Sequence, residues 1–204
     1  MSAPRTRIQR RNHRVIMDAA LEVFAQHGYR GSTLDQIAAE AGLSKPNLLY
    51  YFDSKEDIHR ALLTELLDTW IEPLRRLDPA GEPRAEILAY VRRKLTMSRE
   101  YPRESRLFAG EILQGAPRIE EFIRGELRTL VDAKAAVIRD WARAGRIAPV
   151  QPYHLIFSIW ALTQHYADFD AQMRMILGDA HDPTEGAEEH LTLLFERLLA
   201  PGPR

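Results

Sequence analysis

Apolar residues in this chain recur every three or four positions, and no convincing run alternates apolar with polar at a period of two. That periodicity leaves the helix as the regular structure the chain can build, and the fold class it predicts is all-α. Glycines and prolines fall between the periodic blocks, where helix punctuation belongs. The blocks lie at about 9–27, 34–41, 45–51, 55–76, 84–100, 102–114, 118–144, 153–177 and 184–199, or about nine helices with short connections. Ile16, Ala19, Ala20, Val23 and Phe24 form the apolar stripe of the first, which Gly28 ends. Pro73 is expected to bend or end the fourth. The stretch 78–83 is a turn, and the most natural boundary, between a small N-terminal unit and a larger bundle, lies within or after the fourth helix.

At 204 residues and 45% apolar composition, the chain can bury a sizeable core in one large or two small domains. It has no cysteine, which removes disulfides, thiolate nucleophiles and cysteine zinc sites. No apolar run reaches the roughly 18 residues of a membrane span, and the N-terminus lacks the apolar core of a secretory signal, so the expected compartment is the cytoplasm and no membrane partner is expected. The net charge of −1 is uninformative, but its distribution is not. Arg5, Arg7, Arg10, Arg11 and Arg14 precede the first acid, Asp18. Such a basic arm can lie along phosphates, or it can be a solvated terminus.

The segment GSTLDQIAAEAGLSKPNLLYYFDSKED, 31–57, is more specific. Thr33 and Gln36 have capping-box spacing for a helix whose buried face is Ile37, Ala38 and Ala41. Gly42 permits a tight turn, Ser44 caps a second short helix, and Leu48 and Phe52 anchor that helix inward. Two short helices around a glycine turn form a helix-turn-helix, whose second helix enters the major groove. Lys45 and Asn47 sit at its exposed N-terminal end, suited to base edges, and Pro46 is tolerated in its first turn. Tyr50 and Tyr51 end in hydroxyls that can donate to phosphate, and Lys55 begins the next helix, a natural phosphate position. The plainer alternative is a pair of core helices with a solvated polar rim.

The run AAEAGLSKPNLLYYFDSKED resembles the DNA-binding region of the TetR family of transcriptional regulators. The resemblance implies a three-helix DNA-binding domain, at about 1–54, and an effector-binding and dimerisation bundle over 55–204. It also implies a homodimer on a near-palindromic double-stranded operator. Its DNA contacts would fall among Arg10, Arg11, Arg14, Thr33, Ser44, Lys45, Pro46, Asn47, Tyr50, Tyr51 and Lys55. Leu49 departs from the tyrosine many members carry, which removes one common phosphate contact.

The segments WIEPL (70–74), SREYPRESRLF (98–108), EILQGAP (111–117), IRDWARAGRIAPV (138–150) and HLIFSIWALTQHYADF (154–169) resemble a pyrimidine-utilisation repressor of that family. The implied effector is uracil or thymine. Helical spacing puts Phe157, Trp160, Gln164 and Asp168 on one stripe with His165 beside it. A primary amide offers one acceptor and two donors, so Gln164 can meet a pyrimidine edge while Trp160 or Trp70 covers a ring face. The expected pocket is Trp70, Arg106, Phe108, Trp160, Gln164, His165 and Asp168. The aromatic stripe can equally be core, His165 and Asp168 can bond one another, and Arg106 can pair with Glu111. Leu155, Ile156, Ile159, Leu162, Leu191, Leu193, Leu194, Leu198 and Leu199 on the last two long helices suit either an intramolecular core or a four-helix dimer interface, and the resemblance favours the dimer.

Rival classes find little support. There is no phosphate loop and no serine elbow, so no catalytic residues, cofactor or metal site are expected. Glu56-x-x-His59 is only half of a di-iron bundle site. A helical adaptor would not need the arginine arm beside an exposed Lys-Asn-Tyr-Tyr-Lys array. A regulator with another effector, such as a lipophilic drug or an acyl-CoA, keeps the same head.

Overall fold

The computed structural model describes residues 7–178 and 180–201, and Arg5 lies outside them. Every regular element among them is helical. The chain forms two compact units. The first runs to Asp68 and includes Arg106–Ile119, and the second comprises Thr69–Ser105 and the chain from Glu120. This division is not a single cut after residue 54, because the chain up to Asp68 and the segment Arg106–Ile119 both group with the N-terminal helices.

The first unit holds α1 (Arg7–Gly31), α2 (Leu34–Glu40), α3 (Lys45–Leu49), the start of α4 (Lys55–Arg75) and most of α6 (Pro102–Leu113). The apolar stripe of α1 buries Ile16, Ala19, Ala20, Val23 and Phe24, and Ile37, Leu48 and Ile58 are fully buried in the same unit. Side chains of this kind contribute about 1.5–3 kcal/mol each when fully buried. Gly28 has φ 66°, so α1 kinks there and its last turn, Tyr29–Gly31, is redirected. Gly42, at φ 64°, makes the turn between α2 and α3, which Leu43 N closes on Ala38 O at 2.9 Å. Thr33 and Gln36 form the expected capping box, and Ser54 caps α4 by accepting from Asp57 N at 3.1 Å.

In the second unit α5 (Pro83–Glu100) packs against α9 (Pro152–Asp168) and α11 (Ala187–Leu199). The unit also contains α7 (Glu120–Phe122), a π-helical turn Ile123–Leu127, α8 (Arg128–Arg143) and α10 (Asp170–Leu177). Its core gathers Leu74, Ile87, Val91, Leu95, Ile138, Trp141, Ile156, Ile159, Leu191 and Phe195.

Several boundaries differ from the sequence expectation. The fourth helix keeps its expected extent, with Pro73 inside it and its end at Arg75. The expected helix at 118–144 is interrupted by the π-helical turn. The one at 153–177 divides at Phe169, with φ −116° and ψ 22°. The last helix begins at Ala187, because Gly186 lies at φ 73°, outside helical space. Leu155, Ile156, Ile159, Leu191 and Leu199 join the core of their own chain, whereas Leu162, Leu193, Leu194 and Leu198 stay exposed. Among the described residues no helix is long and apolar enough to cross a membrane.

Candidate functional sites

The first site is the exposed end of α3 with the first turns of α1. Ser44 Oγ caps α3 by accepting from Asn47 N at 3.4 Å, and Pro46 occupies its first turn. Lys45 and Asn47 are exposed. Lys45 Nζ is 2.9 Å from Asp35 Oδ2, an ion pair open to solvent and therefore weak. Thr33 Oγ1 is held by Gln36, so its first role is to cap α2. Tyr50 is 70% exposed, and its ring meets that of Tyr51 edge-on at 5.2 Å. The expected arginine arm is helical: Arg7, Arg10, Arg11 and Arg14 lie at i, i+3, i+4 and i+7 on α1, all exposed along one face.

Lys55 has partners within its own unit. Its Nζ donates to Tyr29 O at 2.7 Å and to Ser32 O at 2.6 Å, and lies 4.4 Å from the Tyr29 ring centroid. The kinked end of α1 supplies carbonyls that lack helical partners, and the ammonium satisfies them.

Beside Lys55 is a buried cluster that contains His59, Glu111 and Arg118. Glu111 accepts from Arg118 N at 2.7 Å and from Arg118 Nη1 at 3.0 Å. The Arg118 guanidinium covers the Tyr29 ring at 3.8 Å. His59 is buried edge-on against Phe24 and Tyr29, with Nδ1 3.9 Å from Glu111 Oε2. Burial, then the positive charges of Arg118 and Lys55, hold the His59 pKa down to about 4, because Arg118 already engages the carboxylate. Among the described residues no group of three or more His, Cys, Asp or Glu could hold a metal ion.

The neutral imidazole has a pH consequence. Its folded-state pKa lies below the unfolded value of 6.5, so the unfolded chain takes up the proton first as acid is added. Stability is therefore lost as the pH falls from about 6.5 towards 4, by at most about 3 kcal/mol from this group. Denaturant melts across that window should show the loss and His59→Gln should reduce it. Equal slopes in the two proteins would contradict a buried neutral histidine.

The second site lies within the second unit, where α5 and α9 carry two polar stripes. Tyr90, Lys94 and Ser98 succeed one another on α5, and Trp160, Gln164 and Asp168 on α9. Trp160 Nε1 donates to Tyr90 Oη at 2.5 Å. One end of the α9 stripe is fixed by Ser105 Oγ, which donates to Asp168 Oδ1 at 2.6 Å. Lys94 is only 2% exposed, and its Nζ lies 4.6 Å from the Trp70 ring centroid. Burial pushes the Lys94 pKa down to about 7, and the Asp168 carboxylate partly opposes that shift. Burial also raises the pKa of Tyr90, leaving its hydroxyl protonated. Gln164, half-buried, lies one turn from both Trp160 and Asp168. An indole face and an ammonium are thus in contact, with a carboxylate near enough to act on that ammonium and a primary amide one helical turn from the carboxylate; groups of these kinds suit a flat ring with alternating donors and acceptors.

Trp70, Trp160, Gln164 and Asp168 belong to one unit, and Trp70, Trp160 and Asp168 each act on a residue of this region. His165 does not converge with them. It is exposed, with its ring stacked on Phe169 at 4.9 Å, because one residue of helical rotation turns it away from Gln164. Asp168 instead accepts from Ser105 through Oδ1. Arg106 and Phe108 fall in the first unit, and the carboxylate of Glu111 is engaged by Arg118. Phe157 lines a separate apolar groove of about 510 Å³ with Leu127, Val131, Tyr153 and Trp160. Sequence reasoning missed Lys94, Tyr90 and Ser105. The available signal was a lysine on the buried stripe of α5, at helical spacing from Ile87 and Val91.

A helix-turn-helix head with a basic helical edge, joined to a helical unit with an interior polar cluster, is the organisation of a ligand-responsive transcriptional regulator. The chain belongs to the TetR family: residues 16–62 match the family model described as bacterial regulatory proteins, tetR family, and residues 63–201 match that of the YcdC-like protein C-terminal region. Among its relatives is the HTH-type transcriptional regulator RutR of Escherichia coli strain K12, 47% identical over 174 residues that cover 85% of this chain and 82% of RutR. The fold is shared with the transcriptional regulator SCO4942 from Streptomyces coelicolor, at TM-score 0.72 and 24% identity over 93% of this chain and 99% of that one. It is also shared with AibR in complex with isovaleryl coenzyme A and operator DNA, at TM-score 0.69 and 20% identity over 93% and 99% of the two chains. The protein is therefore a TetR-type DNA-binding transcriptional regulator and not an enzyme.

Proposed function

We propose that this regulator is a homodimeric repressor whose effector is a pyrimidine such as uracil or thymine, and that it controls pyrimidine catabolism from the cytoplasm. The observation that carries this reading is the interior polar cluster. A flat neutral ring whose edge alternates carbonyls and N–H groups has the complement of the Gln164 amide, and the Trp70 indole can cover its face. The sensor segments also resemble a pyrimidine-utilisation repressor, and the chain shares 47% identity with RutR.

In this reading Arg10, Arg11, Arg14, Thr33, Ser44, Lys45, Pro46, Asn47, Tyr50 and Tyr51 form the DNA-facing edge, within a head of about residues 1–54, while residues 55–204 bind the effector and dimerise. The exposed Leu162, Leu193, Leu194 and Leu198 of α9 and α11 supply an apolar face for a second copy, as a four-helix interface requires. Two heads then meet successive major grooves of a palindromic operator. The ligand binds better to a dimer with a different head separation, and operator affinity falls by no more than that difference in affinity allows.

Gln164→Ala removes the amide that would meet the ring edge. Uracil affinity should fall by about 1–3 kcal/mol, roughly 5- to 150-fold, while operator binding without ligand is unchanged. Calorimetry with uracil and thymine, against an acyl-CoA and a lipophilic cation, reads both the identity of the effector and the effect of the variant. No uracil heat at millimolar ligand would defeat the pyrimidine reading. Loss of operator binding together with ligand response would assign Gln164 to folding.

A further inference from the structure

The two tyrosines at the end of α3 are gripped from α1. Gln9 Nε2 donates to Tyr50 Oη at 3.0 Å, and Asn12 Nδ2 donates to Tyr51 Oη at 3.0 Å. Gln9 and Asn12 are three residues apart on α1, and the stripe continues through His13, whose ring lies 4.9 Å from that of Phe52, to the fully buried Ile16. This stripe adjoins the arginine face, so one helix carries both the basic edge and the supports of the tyrosine pair.

We propose that Gln9 and Asn12 are positioning residues for DNA binding, which act by fixing the direction of the Tyr50 and Tyr51 hydroxyl protons. A phenol has one O–H and two lone pairs. An amide N–H takes a lone pair and cannot receive the proton, so the O–H points elsewhere. Tyr50 is 70% exposed, and a hydroxyl held this way is set to donate to a phosphate oxygen. Holding the pair also lowers the rotamer entropy lost when DNA binds.

The test is a double-mutant cycle on the duplex that the wild-type protein recovers from a random-sequence pool. Asn12→Ala should weaken binding about fivefold in the wild-type background and scarcely at all in Tyr51→Phe, which lacks the hydroxyl to be aimed. Gln9→Ala with Tyr50→Phe provides a second cycle should either Asn12 variant melt early. The dependence of affinity on salt should keep its slope in all of them, because a neutral O–H releases no counterion. Equal losses in both backgrounds would show that the amides act independently of the tyrosines and overturn the proposal. So would the absence of any loss in either cycle.

Discussion

Replacing Arg10, Arg11 and Arg14 together with glutamine should lower affinity for any duplex by about 10²- to 10³-fold near 0.1 M monovalent salt. The three guanidinium groups are exposed along one face of α1. Each phosphate neutralised releases close to one condensed counterion, so the log–log salt slope should become shallower by about 0.9 for every contact removed from a head. Phosphate contacts carry no base information, and binding to cognate and random duplexes should therefore fall by the same factor. A changed ratio between the two would place one of these side chains on a base edge. An unaltered slope would return the face to the solvated terminus that composition also allowed.

Lys94→Met should raise thermodynamic stability at pH 6 by about 2–4 kcal/mol while impairing the response to the effector. The folded-state pKa of about 7 lies far below the unfolded value of 10.5 because burial disfavours the charged form. The cost of that burial is present in full below pH 7 and fades as the pH rises towards 10.5, where the unfolded chain loses its proton as well. The advantage of the methionine variant should accordingly shrink with rising pH. Denaturant melts at several pH values measure this, and calorimetry on the same samples reads the effector. A variant less stable at every pH would mean that the ammonium is tied into a network worth more than its desolvation costs. A residue that lowers stability where a methionine would fit is the expected signature of a functional site.

The head was legible in the sequence in detail. The capping box of Thr33 and Gln36, the Gly42 turn and the inward anchors Leu48 and Phe52 are interactions between near neighbours in the chain, and the structure has each of them. The interior cluster was legible on one side only. Trp160, Gln164 and Asp168 share a helix, so their common face follows from spacing. Lys94, Tyr90 and Ser105 come from elsewhere in the chain and join them only because α5 packs on α9 and Ser105 reaches Asp168.

By itself the sequence determined the helical class, the caps and turns of the head, the basic stripe and the family, because these depend on local spacing and residue chemistry. Tertiary structure alone decided which partner each long polar side chain chose. Lys55 went to the carbonyls of Tyr29 and Ser32, His59 went between the Phe24 and Tyr29 rings beside the Glu111–Arg118 pair, and Asp168 went to Ser105. A flexible side chain can reach several partners from one backbone position. The winner is the one that costs least to bury, and that depends on which distant elements stand beside it.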